Sequence, residues 1–201
     1  KAVLSSVVFL IGVELIDLAG MRRVFHLRRD EFVVATLVAL TVVCVGVEQG
    51  ILLAIVASII DHMRRSYRPA TSVLLPGADG GWHGVPSEPG LRSEAGLVIY
   101  RFAGSIYYAN ANLFLEQASA FAAADNPPTW ICVDAAAMPD IDYSGGGAIR
   151  QLHGALNGDG IKRVVAEPLP SVRELLDRYG LTDLIGADAI YPTVEDAADA
   201  Y

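Results

Sequence analysis

The chain opens with long apolar runs and settles, past Pro69, into short ones. Ala2–Ile16 is apolar apart from Glu14, and Asp17 follows at its end. The stretch MRRVFHLRRDE then carries Arg22, Arg23, Arg28 and Arg29 as a basic connector to a second run, Phe32–Ile60. As one helix that run would measure about 43 Å at ~1.5 Å per residue, against a hydrocarbon core of ~30 Å. It would also bury Glu48 and Gln49 and put the arginine clusters on opposite sides. A break at Gly46–Gly50 removes all three difficulties. The expected spans become Phe32–Val47 and Gly50–Ile60, with Glu48 at the turn and Arg22–Arg29 and Arg64–Arg68 on one side, the cytoplasmic side by the positive-inside rule. Gly50–Ile60 is short for lipid exposure unless it continues through Asp61–Met63 or packs inside a bundle. Glu14 is an intramembrane acid by one reading and, with Asp17 and the connector so close, a span-end residue by the other. Residues 1–68 are thus expected to hold about three transmembrane helices. A soluble domain of buried helices is the alternative, and the clustering of arginines on one side argues against it.

The remaining pattern alternates. Thr71–Leu75 reads as a first strand and Pro76–Gly90 as a long loop rich in Gly, Pro and Ser. Gly96–Phe102 reads as a strand, with a short one at Ser105–Tyr108. Ala111–Ala124 has Leu113, Phe114, Ala118, Phe121 and Ala122 at helical spacing, with Asn110 or Asn112 as N-cap. Thr129–Ala135 is a buried-strand pattern, Ser144–Leu156 a helix and Ile161–Glu167 a strand. Pro170–Gly180 is a helix with proline in its first turn and glycine at its end. Residues 187–192 suit a last short strand, and a final helix starts at Thr193. Strands alternating with helices imply an α/β domain: a mixed, mainly parallel sheet with helices packed on it. The expected division is membrane helices over 1–68, linker and first strand over 69–95, and the α/β domain over 96–201.

Charge follows the same division. The chain has 15 Lys/Arg against 23 Asp/Glu, net −8; residues 1–68 hold 8 of the basic and 6 of the acidic ones, leaving 69–201 at −10. So acidic a second part excludes a nucleic-acid binder, which needs a positive surface. Cys44 and Cys132 have no disulfide or zinc spacing and are expected to be buried thiols. The start lacks a small-residue cleavage pattern and an initiator methionine, and it reads as a piece of a longer protein.

Candidate chemistry concentrates in MPDIDYSGGGAIRQL, Met138–Leu152. A nucleophile elbow needs glycine two residues before the serine, where Asp142 stands. Nine residues along a helix, about 13 Å, separate Ser144 from His153, too far for a dyad. A Walker loop needs a lysine after the glycines, and none is present. The amides of Ser144, Gly145, Gly146 and Gly147 at a helix start leave a looser anion site as a candidate, with Asp140 and Asp142 opposing it. A Mg2+ site from Asp134, Asp140 and Asp142 competes with the simpler reading of acids beside a helix start. The structural reading has Asp142 or Ser144 as cap and the glycines allowing a tight turn and close packing. An exposed serine there is left over, and a phosphate on a first helical turn is electrostatically tolerated. No cofactor, metal or catalytic residue is assigned.

The order of spans, Arg68–Pro69 and α/β domain resembles the C-terminal end of SulP-family anion transporters (sulfate permeases) with their cytoplasmic STAS domain. GVEQGILLAIVASIIDHMRRSYRP is similar to the last span and its exit. YRFAGSIYYANANLFLEQ resembles the family's strand–Tyr/Phe–Ala–Asn–Ala segment, and WICVDAAAMPDIDYSGGGAIRQL the strand–Asp–loop segment of STAS domains. The resemblance implies a secondary active transporter of an inorganic anion, sulfate, working as a homodimer in the cell membrane, with the anion site on earlier helices. It implies a non-enzymatic regulatory domain that meets a regulatory protein or a guanine nucleotide, with Asp142, Ser144, Gly145, Gly146 and Gly147 as the nucleotide or anion candidates. Ser144 falls where related anti-sigma-factor antagonists are phosphorylated; Tyr143 departs from the small residue usual there. The alternative is a membrane-tethered signalling module of that antagonist type.

Overall fold

The computed structural model describes residues 2–14, 17–156 and 160–201, which form two units, Lys1–Met63 and Arg64–Tyr201. The first holds α1 (Ala2–Glu14), α2 (Leu18–Leu27), α3 (Arg29–Cys44) and most of α4 (Val47–Tyr67). The expected basic connector is itself a helix, α2. Asp17 starts it, accepting the Gly20 N–H at 2.7 Å. The break between α3 and α4 falls at Gly46, whose φ of +149° suits glycine alone. Gly50 of α4 lies so close to α3 that a Cβ there would stand 2.2 Å from Val42 Cγ2.

Apolar side chains on these helices are exposed, Phe9, Leu40, Val43, Ile55 and Ile60 among them. Among the described residues, no helix is long and apolar enough to cross a membrane. The physical reason is length and charge: α1 has 13 residues and α3 has 16, about 20 and 24 Å, while the 21 residues of α4 include Glu48, Asp61 and Arg64. Ile16, the expected end of the first span, lies outside the described residues, as does the side chain of Glu14. Cys44 is exposed rather than buried; Cys132 is buried as expected.

The second unit is a six-stranded sheet in the order β2-β1-β3-β4-β5-β6: β1 (Ala70–Pro76), β2 (Trp82–Pro86), β3 (Leu97–Ala103), β4 (Trp130–Asp134), β5 (Lys162–Ala166) and β6 (Ile190–Tyr191). β1 runs antiparallel to β2 and β3, and β3 through β6 are parallel. β2 falls inside the expected long loop. A turn at Gly77–Gly81, with Gly80 at φ +80° and the Gly81 N–H on Asp79 Oδ1 at 3.2 Å, folds it back as an edge strand. Its Gly84 and Pro86 disguise it in the sequence.

β3 is buried on both faces, which accounts for its unbroken apolar run. One face packs Val98, Tyr100, Phe102 and Ile131 against α5 (Ala111–Ala122), α6 (Tyr143–Leu156) and α7 (Pro170–Arg178). The other packs Leu97, Ile99, Cys132 and Val164 against α9 (Val194–Asp199). Thr193, expected as the first residue of the last helix, caps α9 instead, its Oγ1 accepting the Asp196 N–H at 3.0 Å. Gly180 ends α7 at φ +65°, and the short α8 (Leu181–Ile185) follows, which the pattern did not announce. Ser105–Tyr108 is not a strand. Only Ile106 pairs, in a single parallel bridge to Ile141, because the chain turns into α5 directly afterwards.

Candidate functional site

The site lies where β3 and β4 end and α6 begins. Asp134, the last residue of β4, is fully buried and stands in register with Arg101 of β3, whose Nε–H it accepts. Its Oδ1 also accepts the Ala136 N–H at 2.9 Å, which fixes the start of the loop. Asp134 is therefore committed to holding the strand ends together.

The loop returns through Asp140, Ile141 and Asp142. Ile106 clamps it: its N–H donates to Asp140 O at 3.1 Å and its carbonyl accepts the Asp142 N–H at 2.9 Å. Of the two proposed caps, Asp142 does the work. Its Oδ1 accepts the Gly145 N–H at 2.7 Å, and its Oδ2 accepts the Tyr108 N–H at 3.0 Å. Ser144 is left exposed, with Tyr143 beside it 84% exposed. Asp140 and Asp142 flank Ile141 in the loop, and Asp134 is turned to Arg101. Among the described residues, no group of three His, Cys, Asp or Glu side chains is placed to hold a metal.

The three glycines have different roles. A Cβ on Gly145 would stand 2.5 Å from the Ile106 carbonyl oxygen, and one on Gly146 would stand 3.0 Å from the Tyr179 ring. Both are required for close packing. Gly147 faces open space. As an anion cradle the turn has a competitor built in, because the Asp142 carboxylate already occupies the Gly145 N–H. Two cavities bear on nucleotide binding. The apolar one between sheet and helices, lined by Phe114, Met138, Leu152 and Leu176, measures about 50 Å3, room for one or two waters. An open cleft of about 330 Å3 is lined by Glu94, Glu195, Asp199 and Trp82, and its acids repel phosphate.

Other reactive types are engaged elsewhere. His153 lies beside Arg163, with Nε2 3.4 Å from Nη2; burial and that guanidinium hold its pKa below the usual histidine value. Burial pushes the Cys132 thiol well above its ordinary range, with Asp134 and Glu167 adding to it. Sequence reasoning missed two contributors, the Arg101–Asp134 pair and the Asn110 side chain. Arg101 and Asp134 become visible as partners only once β3 and β4 are paired in register. Asn110 sits at the expected N-cap but makes no capping bond, turning instead to the loop before it.

The STAS domain model matches residues 88–197. The chain belongs to the STAS family. Its relatives reach further than the STAS domain. A probable sulfate transporter of Mycobacterium tuberculosis is 32% identical over all of this chain, which covers 36% of that protein. High affinity sulfate transporter 1 of Stylosanthes hamata is 28% identical, again over all of this chain and 32% of its own length. The chain spans about a third of the length of these relatives. Among solved structures, the murine Solute Carrier 26 family member A9 anion transporter in its inward-facing state shares the fold. It superposes with a TM-score of 0.77 at 17% identity, covering 95% of this chain and 32% of that one.

Proposed function

We propose that the chain is the C-terminal part of a secondary active sulfate transporter whose STAS domain regulates transport from the cytoplasm. One observation carries this reading: the likeness to sulfate transporters extends over the whole chain, helical part included. Residues 1–68 lie in the cell membrane as the last helices of a multi-pass bundle. The exposed apolar side chains of α1, α3 and α4 support this, since they need lipid or neighbouring helices to cover them. Segments too short to span alone are stable inside a transporter bundle, where other helices satisfy their ends. The positive-inside rule favours the cytoplasmic side for both arginine clusters, Arg22–Arg29 and Arg64–Arg68. Residues 69–95 link to the domain over 96–201. The anion site lies on the transporter's other helices, and the protein works as a homodimer.

The STAS domain acts through contacts, not catalysis. Its regulatory surface is the exposed first turn of α6, with Ser144 as the phosphorylation site. Helix dipole and open solvent favour a phosphate there, and the neighbouring Asp142 makes it a strong perturbation. A guanine nucleotide meeting Asp142, Ser144, Gly145, Gly146 and Gly147 is the other ligand of this surface, and it would have to displace Asp142 from the Gly145 N–H. In cells lacking sulfate uptake, the full-length gene restores growth on sulfate. Mapping phosphosites after incubation with cell extract and ATP finds Ser144. Growth without uptake of labelled sulfate would reject the transporter reading; an unmodified Ser144 would reject the switch.

A further inference from the structure

Asn110 is a buried polar side chain, 1% exposed, and its bonds lead away from the helix it precedes. Its Oδ1 accepts the Tyr107 N–H at 2.9 Å, and its Nδ2 donates to Ser105 O at 2.9 Å and to Ser66 O at 3.3 Å. Ser66 lies in the last turn of α4, where carbonyls have no partner within the helix. Just beyond it, Pro69 packs against Gly104 so closely that a Cβ on Gly104 would stand 3.0 Å from the proline ring. The exit of α4 is thus held at both ends of the Gly104–Asn110 loop.

The same loop holds the Ser144 turn. Ile106 exchanges backbone hydrogen bonds with Asp140 and Asp142, and the Tyr108 N–H donates to Asp142 Oδ2 at 3.0 Å. The second oxygen of that carboxylate takes the Gly145 N–H, one residue after Ser144. A continuous set of hydrogen bonds therefore runs from Ser66 through Asn110, the Tyr107–Tyr108 backbone and Asp142 to the first turn of α6.

We infer that the Gly104–Asn110 loop is a relay between the Ser144 turn and the last turn of α4, with Asn110 as its positioning residue. A dianion arriving at Ser144 repels the Asp142 carboxylate, which lets go of Tyr108; the loop relaxes, and Asn110 loosens its hold on Ser66. What the relay regulates rests on the transporter reading, but the coupling itself does not.

Hydrogen exchange on the full-length protein in lipid nanodiscs reads the coupling directly. Asp142→Ala accelerates exchange of the amides of residues 64–68 about fivefold, the effect of losing one hydrogen bond. Thr193→Ala, a cap loss of similar cost at α9, leaves 64–68 unchanged. Asn110→Asp keeps the acceptor for Tyr107 and loses the donor to both Ser105 O and Ser66 O, so it accelerates 64–68 by itself. Added to it, Asp142→Ala brings no further acceleration there. Amides of residues 162–166 report that the core is folded in each variant, and Asp142→Asn serves if Asp142→Ala unfolds. The relay is overturned if both Asp142 variants leave 64–68 at the wild-type rate, or if Thr193→Ala has the same effect. Full additivity of Asp142→Ala and Asn110→Asp overturns it as well. Sulfate uptake by the wild type, measured separately, decides the transporter reading whichever way the exchange falls.

Discussion

Gly145 and Gly147 stand in the same helical turn and predict opposite responses. Gly145→Ala drives a methyl into the Ile106 carbonyl and costs about 1–3 kcal/mol. Gly147→Ala meets nothing and, in a helix, gains about 0.5–1 kcal/mol. Denaturant midpoints of the two variants on either side of wild type check both. The Arg101–Asp134 pair is similarly asymmetric. Arg101→Met leaves a fully buried carboxylate unpaired and costs about 3 kcal/mol or more, whereas Asp134→Asn leaves a guanidinium that is 34% exposed and can turn to water. Thermal melts rank Arg101→Met as the more damaging. For His153, burial and Arg163 favour the neutral ring in the folded state, so the unfolded chain binds its proton more readily. Stability is unaffected well above the ordinary histidine value of 6.5 and falls as pH drops below it. His153→Gln flattens that slope in melts taken between about pH 7 and 5.

At the scale of elements, β2 is a weakly held edge strand. It pairs on one side only, with β1, and its residues are exposed or half-buried. Its amides exchange well before those of β3 and β4, and exchange mass spectrometry resolves the order. The same marginality explains why β2 escaped the sequence reading, in which WHGVP lacks alternation and contains glycine and proline. Strands buried on both faces were legible because VIYRF and WICVD have little else to be. The site was partly legible for the same kind of reason. An acid three residues before the Gly145 amide is a local cap, written in consecutive residues. Arg101–Asp134 and Asn110–Ser66 join residues 33 and 44 positions apart, and no local pattern announces such partners. Gly145 and Gly146 could be expected to pack closely, but only the fold shows Gly147 to be free of that duty.

At the scale of the whole molecule, residues 1–68 are apolar and slightly basic and residues 69–201 carry −10, a contrast that supports the proposed division between membrane and water. What the Ser144 turn regulates rests on the transporter reading, whereas the coupling through Asn110 rests on hydrogen bonds between Ser66 and Gly145. Uptake of radiolabelled sulfate into liposomes holding the purified full-length protein tests the central claim most directly. The account predicts saturable uptake that excess unlabelled sulfate abolishes and that liposomes without the protein lack. Uptake no faster than into empty liposomes, from protein shown to be folded and inserted, would contradict it.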